Sequence, residues 1–248
     1  MTSDSGPRSS TPLAAAILAI GVLAGGFLIG NGFARMRTAD RTVSVKGVSE
    51  REARADLAIW PLRLVATDDD LARANATLER NVQQVRVFLK ESGLDSAGTE
   101  VTMQEFSVQD GRTMGGYGNS ARYVIRQTLV VRSIHVDVVQ AASQRVPELV
   151  RNGVVLSSGQ EYGGGGPTFV FTKLNDLKPA MIAEATARAR EGAEQFAKDS
   201  QSSLSGIRTA SQGVFEILPR DQAMGISEES QVVKKVRVVT TVVYGLDR

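Results

Sequence analysis

The chain has 248 residues, 42% of them hydrophobic and 23% charged, so it is long enough to bury a core and is neither globally disordered nor a polytopic membrane protein. Its 29 Lys and Arg residues against 27 Asp and Glu residues leave a net charge of +2, which is no electrostatic footprint for nucleic acid. Cysteine is absent, which excludes disulfides, thiol catalysis and thiolate metal sites. His135 is the single histidine, which leaves most metal and general-base chemistry without its commonest residue, so the counts argue against an enzyme.

The first predicted element is an apolar segment near the N-terminus. No charged side chain lies between Ser9 and Ala34, and residues 13–33 are almost wholly apolar. As a helix, those 21 residues would span about 31 Å, which is close to the hydrocarbon thickness of a bilayer. The sequence therefore predicts a transmembrane signal-anchor helix over residues 12–34, between a short N-terminal tail (1–11) and a polar linker (35–41), with the lipid bilayer as a partner.

Two other interpretations of this segment remain open. Residues 32–34 resemble a small-x-small cleavage site, so a removed signal peptide is one alternative, although its apolar core would have only about 7–15 residues. The other is a buried helix of a soluble protein, which the five glycines of the segment would weaken in water. We predict an inner-membrane protein with a periplasmic C-terminal domain. The count of basic residues points the other way, because Arg35, Arg37 and Arg41 favour a cytoplasmic location for the C-terminal side of the helix.

Glycines within the apolar segment have the spacing found where membrane helices approach one another closely. Two pairs are separated by four positions each, which places the members of a pair on one helix face. The alternative is the ordinary use of glycine in membrane helices. The predicted helix-packing residues are Gly21, Gly25, Gly26 and Gly30.

Two strands are predicted next, beginning at Thr42 and covering about 42–47 and 55–67. The second strand alternates apolar and other residues, as expected of a strand with one buried face. Pro61 cannot donate a ladder hydrogen bond, which predicts an edge position or a bulge there. The apolar face contains Trp60, Leu62 and Leu64.

The strongest helix signal follows three acidic residues at 68–70, which provide an N-cap and first-turn carboxylates. Apolar residues recur at intervals of three and four from Leu71 to Leu89, and Gly93 ends the helix. A divalent cation at residues 68–70 is the alternative, but such sites need about six oxygen ligands from several places.

The same order of elements continues to the C-terminus. Helices are predicted over 137–152, where Pro147 should kink or restart the helix, and over 176–200. The last of these is predicted to bury Met181, Ile182, Ala185, Ala189, Ala193 and Phe196. The remaining strands are predicted over 100–109, 122–134, 154–162, 168–172, 206–218 and 230–245.

The order of elements is ββα-ββα-ββα-ββ after the N-terminal helix. Strands that come in pairs indicate an α+β fold of repeated ββα units, with a mainly antiparallel sheet packed by helices. We treat residues 42–248 as one domain, and two subdomains meeting near residue 153 are the alternative.

The terminal strand has apolar residues on both faces, which suggests that helices of the chain cover one face and a neighbouring subunit the other. Hairpin pairs also leave open sheet edges that a soluble protein must cover, charge or pair. We therefore predict a closed homo-oligomer, with Val239 and Val243 as interface candidates. Coverage of these edges within one chain, by the helices and residues 219–229, is the alternative.

No motif points to catalysis or to a cofactor. The glycines at 115–118 and 163–166 are predicted to lie between strands as mobile loops, and neither run ends in the Gly-Lys-Ser/Thr of a phosphate-binding loop. His135 and Asp137 have no Gly-x-Ser-x-Gly partner, so Asp137 is interpreted as a helix cap. We predict no catalytic, cofactor-binding or metal-binding residue, and the sequence identifies no small-molecule ligand.

Several segments together resemble the SIMPL-domain family of bacterial exported proteins, which is linked to oxidative-stress defence. They are Val45–Glu50 followed by Ala55–Ala58, the helix from Leu71 into Leu94, the stretch Leu177–Ala197 and the valine-rich terminal strand. Ser49 and the Arg54-Ala55 pair depart from the family's second glycine and its proline. The resemblance implies an α+β domain, often oligomeric and without an agreed catalytic site.

These observations predict a non-enzymatic, membrane-tethered cell-envelope protein whose SIMPL-like periplasmic domain self-associates, with a supporting role in envelope or oxidative-stress defence. The alternative is a small periplasmic binding or chaperone-like module in stress defence, released from its signal peptide and not assembled. Any antioxidant role would be indirect, because six methionines and no cysteine provide little redox machinery.

Overall fold

The computed structural model describes residues 11–39, 41–112, 121–157 and 165–247, with the side chains of the first helix described over residues 16–30. Five α-helices and eight β-strands lie in these ranges, and the pairings of β2 with β4 and β5, of β3 with β4, and of β8 with β6 and β7 are antiparallel. The helices are α1 (Thr11–Ala39), α2 (Leu71–Glu91), α3 (Val136–Gln144), α4 (Val146–Arg151) and α5 (Leu174–Asp199). The strands are β1 (Thr42–Arg54), β2 (Leu57–Asp68), β3 (Thr99–Asp110), β4 (Tyr123–Ser133), β5 (Thr168–Val170), β6 (Ser203–Gln212), β7 (Glu216–Pro219) and β8 (Val233–Asp247).

The chain forms two compact units, neither of which is a continuous stretch of sequence. We call them the terminal unit, which lies within Met1–Val48, Ile182–Gly213 and Val239–Arg248, and the central unit, which comprises Ser49–Met181 and Val214–Val238.

The central unit contains a four-stranded sheet in the order β3-β4-β2-β5, packed by helix α2. Trp60, Leu62 and Leu64 of β2 are buried as their two-residue period predicts. The apolar face of α2 packs into the same core, because its residues recur at helical spacing. Asp70 caps the helix by accepting a hydrogen bond from the Arg73 backbone N–H, as predicted.

Strand β2 lies between β4 and β5, but β5 pairs only with residues 57–59, so at Pro61 the described residues leave one side of β2 unpaired, as the predicted edge position requires, and the register with β4 has no bulge there. Arg63 and Val65 bond through their backbones to Ser157 and Val155, on the side of β2 away from β4. Backbone groups point to alternate sides along a strand, so the Pro61 nitrogen faces that same side. Pro61 lies between the residues that pair with β5 and those that bond to Val155 and Ser157. No described strand lies opposite Pro61 on that side, so its missing N–H leaves no hydrogen bond unmade.

The terminal unit contains the C-terminal part of β8, whose buried Val242, Tyr244 and Leu246 share a core with the alanine face of α5. Ala185, Ala189 and Ala193 are fully buried, and their small side chains allow the helix to lie close to the sheet. Gly47 of β1 meets the helix backbone directly, because a Cβ placed there would lie 1.8 Å from the Ala185 carbonyl oxygen. Phe196 was predicted to be buried and is 52% exposed, because the i, i+4 line of these alanines continues to the buried Ala197 and not to Phe196.

The mixed α and β content with antiparallel sheets is confirmed, whereas the repeated ββα unit is not. Only Ala55 and Asp56 separate β1 from β2, and neither has the positive φ that a two-residue hairpin needs. The two strands consequently enter different sheets, and β1 pairs with β8. In the predicted strand 154–162, the described residues include only the isolated bridge of Leu156 to Leu64, and residues 158–164 lie outside the described part.

At the C-terminus, the predicted strand 206–218 is two strands, β6 and β7, which pair with successive parts of β8. Predicted helix 137–152 is likewise divided, since α4 restarts with Pro147 in its first turn. Where side chains are described, no helix is both long enough and apolar enough to cross a membrane.

Candidate interaction surfaces

The two valines predicted from sequence as interface residues lie on the half-exposed face of β8. Burial alternates along this strand, with Val238, Val242 and Tyr244 on the buried face and Val239 and Val243 on the other. Strand β8 is paired on both edges, by β1 on one side and by β6 and β7 on the other. A second subunit could therefore reach these valines only through their side chains and not through the β8 backbone.

The open edge next to these valines belongs to β6, which the sequence did not single out. Its ten residues are almost all exposed on both faces, and Ile207 is 56% exposed. No described strand pairs with its outer edge. Because Thr209 lies opposite Val243 in the ladder, the β6 edge and the half-exposed face of β8 form one surface, which we call the β6–β8 surface.

The predicted helix-packing glycines lie in α1 with open space around them. A Cβ added at Gly21, Gly25, Gly26 or Gly30 would meet no atom within 4 Å among the described residues. Large apolar side chains of the same helix are mostly exposed, and Leu23 is 73% exposed. These glycines thus provide a small-residue surface that the described residues leave uncovered.

The histidine predicted to be without a catalytic role is bound to the backbone. Its Nε2 atom lies 2.9 Å from the Ala97 carbonyl oxygen, and His135 rather than Asp137 holds the N-cap position of α3. The predicted cap at Asp137 is therefore wrong: Asp137 lies in the first turn, where the dipole favours a carboxylate, and pairs with Arg54. Among the described residues, no group of three or more His, Asp or Glu could hold a metal ion.

The acidic residues at 68–70 serve the start of α2 and its neighbours. Hydrogen bonds from the Arg73 guanidinium hold the pKa of Asp68 at about 2, well below its usual value. Asp69 accepts from the Arg122 backbone N–H at 2.9 Å. The predicted glycine loop at 115–118, and residues 163–164 of the second one, lie outside the described residues.

Lys234 and Lys235 point to opposite faces of β8 because they are neighbours in a strand, so they do not form a basic patch. The Lys234 side chain is fully buried, and its ammonium lies 2.5 Å from the Glu228 carboxylate and 2.6 Å from the Glu228 carbonyl oxygen. This pair attaches the 3₁₀ helix Glu228–Ser230 to β8, because a buried ammonium that lost its partners would strongly destabilise the fold.

Asp56 joins two distant segments of the central unit. Its carboxylate accepts from the Thr172 backbone N–H and from the Thr172 hydroxyl, both at 2.6 Å. The Asp56 N–H donates to the Val170 carbonyl oxygen at 3.0 Å. Partial burial raises the pKa of Asp56, but the hydrogen bonds from Thr172 outweigh it and lower the pKa below 3.8.

Replacing Asp56 with asparagine should therefore cost about 1 kcal/mol at neutral pH, because the charge-assisted bonds to Thr172 are lost. A carboxyl group with a lowered pKa stabilises the fold above its unfolded-state pKa, and this contribution is lost as the pH falls through the folded-state value. Thermal unfolding should show the largest difference between wild type and Asp56→Asn near pH 7 and a shrinking one below about pH 4. An equal difference at pH 7 and pH 3 would contradict this role.

Comparison with known proteins gives one family match. The family described as "SIMPL: Protein of unknown function (DUF541)" matches residues 43–244. No curated protein matches the sequence. A solved structure of an amidase (hydantoinase/carbamoylase family) from Burkholderia phymatum aligns at 18% identity over 62% of this chain, with a TM-score of 0.26. The alignment covers only 38% of that enzyme, and at this TM-score the likeness carries no argument.

Proposed function

The chain belongs to the SIMPL family, which is a family of unknown function, and on that premise we propose that it is a non-enzymatic, membrane-tethered cell-envelope protein whose periplasmic domain self-associates. The role of such an assembly is support of the envelope or of oxidative-stress defence. The exposed β6 edge is the observation that supports this proposal most.

Membrane tethering is supported by the chemistry of α1. The helix covers Thr11–Ala39, and its described side chains from residue 16 to residue 30 include no charged group. The large apolar side chains are 64–73% exposed rather than packed into a core of the chain. Insertion into a lipid bilayer would remove these side chains from water. The uncovered glycines would let neighbouring α1 helices approach each other closely.

Self-association is supported by the contrast between the two outer strands of the β8 sheet. Strand β1 has five charged residues among its 13, which is how natural sheets protect an edge from further pairing. Strand β6 has ten residues and a single charge, at Arg208, and after two register shifts its ladder with β8 is regular from Thr209 to Gln212. An exposed strand edge with so little charge is a template for pairing with another chain. In a homo-oligomer, the β6 edge of a second subunit can provide that partner.

The half-exposed valines extend the same surface. Val243 lies opposite Thr209 of β6, so a subunit paired on β6 would also lie near Val239 and Val243. Tethering raises the local concentration of subunits, so a contact of modest affinity is sufficient. Closed symmetry would use up each open edge, whereas open addition would form filaments.

The tether has a direct experimental test. If α1 is retained in the membrane, the protein should stay in the membrane pellet after washing with alkaline carbonate and with high salt, because lipid-buried apolar area resists both. A reporter fused after Arg248 should be active only in the periplasm. A soluble species that begins near Arg35 would instead show cleavage after Ala34, and cytoplasmic reporter activity would overturn the proposed topology.

A further inference from the structure

A groove lies in the central unit between helix α2 and the outer strand β3. It encloses about 300 Å³, and its apolar lining consists of Leu78 and Val82 from the helix with Met103 and Phe106 from the strand. The lining also includes polar groups, among them Glu79 and Gln127. Helix α2 packs mainly on β2 and β4, and the β3 side chains Phe106 and Met103 are 58% and 49% exposed. The groove is thus an open apolar site rather than a gap in the core.

A β-bulge turns Phe106 toward this groove. Met103 lies opposite Leu129 and Phe106 opposite Gln127, so Glu105 is an extra residue in the ladder. With regular alternation, position 105 would share a face with Met103 and Phe106 would face the other way. Glu105 has a φ of 49°, which a non-glycine residue rarely adopts. The strain is confined to the residue whose insertion places an aromatic ring beside α2.

The groove runs along a strand edge that can pair with another strand. Strand β3 ends the order β3-β4-β2-β5, and no described strand pairs with its outer edge. Its backbone N–H and C=O groups on that side are available to an incoming extended chain. A helix beside an open strand is an arrangement in which peptides bind by adding a strand, with alternate side chains entering the groove.

The charge of the groove favours a basic occupant. Glu79 is the charged residue of the groove lining, whereas Asp110 of β3 is paired with Arg122 and Glu105 accepts a hydrogen bond from Thr128, so the preference rests on Glu79. Flexible Met103 suits side chains of differing shape, since methionine adapts to irregular partners. The volume of about 300 Å³ is enough for one large apolar side chain of the occupant.

We propose that the groove between α2 and β3 binds an extended, unfolded polypeptide segment that places a large apolar side chain beside Phe106 and Met103 and a basic residue near Glu79. The segment adds a strand to β3 through main-chain hydrogen bonds. This assigns to the central unit a peptide-binding activity that does not depend on self-association through the β6–β8 surface.

The test uses the purified full-length chain and a fluorescein-labelled peptide of sequence Ser-Lys-Val-Phe-Val-Lys-Ser, with fluorescence anisotropy as the readout. Binding should weaken about tenfold for Phe106→Glu, because the exposed ring can be removed without unfolding the protein and is the main apolar contact. Ile207→Glu, a matched exposed apolar position in β6, should bind as wild type does. N-methylation of alternate peptide amides should abolish binding, because it removes the strand hydrogen bonds.

A charge exchange makes the assignment specific. Glu79→Lys should weaken binding of the lysine peptide about threefold and strengthen binding of the same peptide with glutamate at both lysine positions. Circular dichroism of each variant checks that the fold is kept. The proposal is overturned if no peptide binds, if Phe106→Glu binds unchanged, or if the N-methylated peptide binds equally well. It is also overturned if Phe106→Glu changes the mass of the assembly without peptide binding, because the groove would then join copies of the chain.

Failure of this proposal is distinguishable from failure of the proposed function. Peptide binding should persist in variants of Val239 and Val243, which lie in the terminal unit. Membrane retention and assembly should likewise persist in Phe106→Glu.

Discussion

Replacing Gly47 with alanine should destabilise the protein by about 3 kcal/mol or more, at the upper end of the cost of overpacking a core. The added Cβ would lie 1.8 Å from the Ala185 carbonyl oxygen and 2.5 Å from the Ala189 nitrogen. Both are backbone atoms of α5, so no side-chain rotation can relieve the contact and the helix must move away from β1. That movement opens the alanine-lined packing of the terminal unit.

The measurement is thermal or urea unfolding followed by circular dichroism, in which Tm should fall by about 10 °C. Gly192→Ala is the matched control, because it lies in the same helix α5 and an added Cβ meets no atom within 4 Å. That control should be neutral or more stable by up to about 1 kcal/mol, since alanine favours helix. A Gly47→Ala protein as stable as wild type would show that α5 does not lie against β1 at this glycine.

Replacing Val239 and Val243 together with lysine should abolish assembly and leave a folded monomer. Both side chains lie on the half-exposed face of β8, where a lysine stem can remain against the sheet while its ammonium reaches water. In an assembled state, the same ammonium groups would be buried against a neighbouring subunit without partners, which is costly. We expect the association constant to fall by about a hundredfold or more.

The matched control is Val87→Lys with Val214→Lys, which adds the same charge at two exposed valines of the central unit. Assembly of this control should equal that of the wild type. If the Val239 and Val243 variant unfolds, these valines are core residues, and if it assembles unchanged, the half-exposed face of β8 is not the contact.

Local periodicity predicted the helices and the buried strand faces well. The predicted helices 71–89 and 176–200 correspond to α2 (Leu71–Glu91) and α5 (Leu174–Asp199). The buried faces of β2 and β8 also followed from alternation, because burial depends on which side of a pleated strand each residue occupies. Such patterns are local, so a single sequence contains them.

Strand partners could not be predicted in the same way. Strand β1 pairs with β8, almost the whole length of the chain away, and adjacency in sequence suggested β2 instead. The pairing depends on the close approach of Gly47 to α5 and on a two-residue connection that cannot form a tight hairpin. Both depend on the folded arrangement of segments, which the local sequence pattern does not contain.

The candidate interaction surfaces were only partly predictable. The position of Val239 and Val243 on one face of β8 followed from alternation, but the openness of β6 depends on which strand ends the sheet. The spacing of Met103, Phe106 and Val108, three residues and then two, was a signal of the bulge, because regular alternation keeps a spacing of two. The burial of Lys234 had no such local signal, because it depends on how the 3₁₀ helix that contains its partner Glu228 packs against β8.

The mass of the intact protein in solution tests the central claim most directly. Light scattering coupled to size-exclusion chromatography on the full-length chain, corrected for bound detergent, reports the number of subunits independently of shape. Self-association predicts one discrete species at an integer multiple of 26.5 kDa that becomes a 26.5 kDa species in the Val239→Lys and Val243→Lys variant. A wild-type chain that remains at 26.5 kDa at micromolar concentration would contradict it.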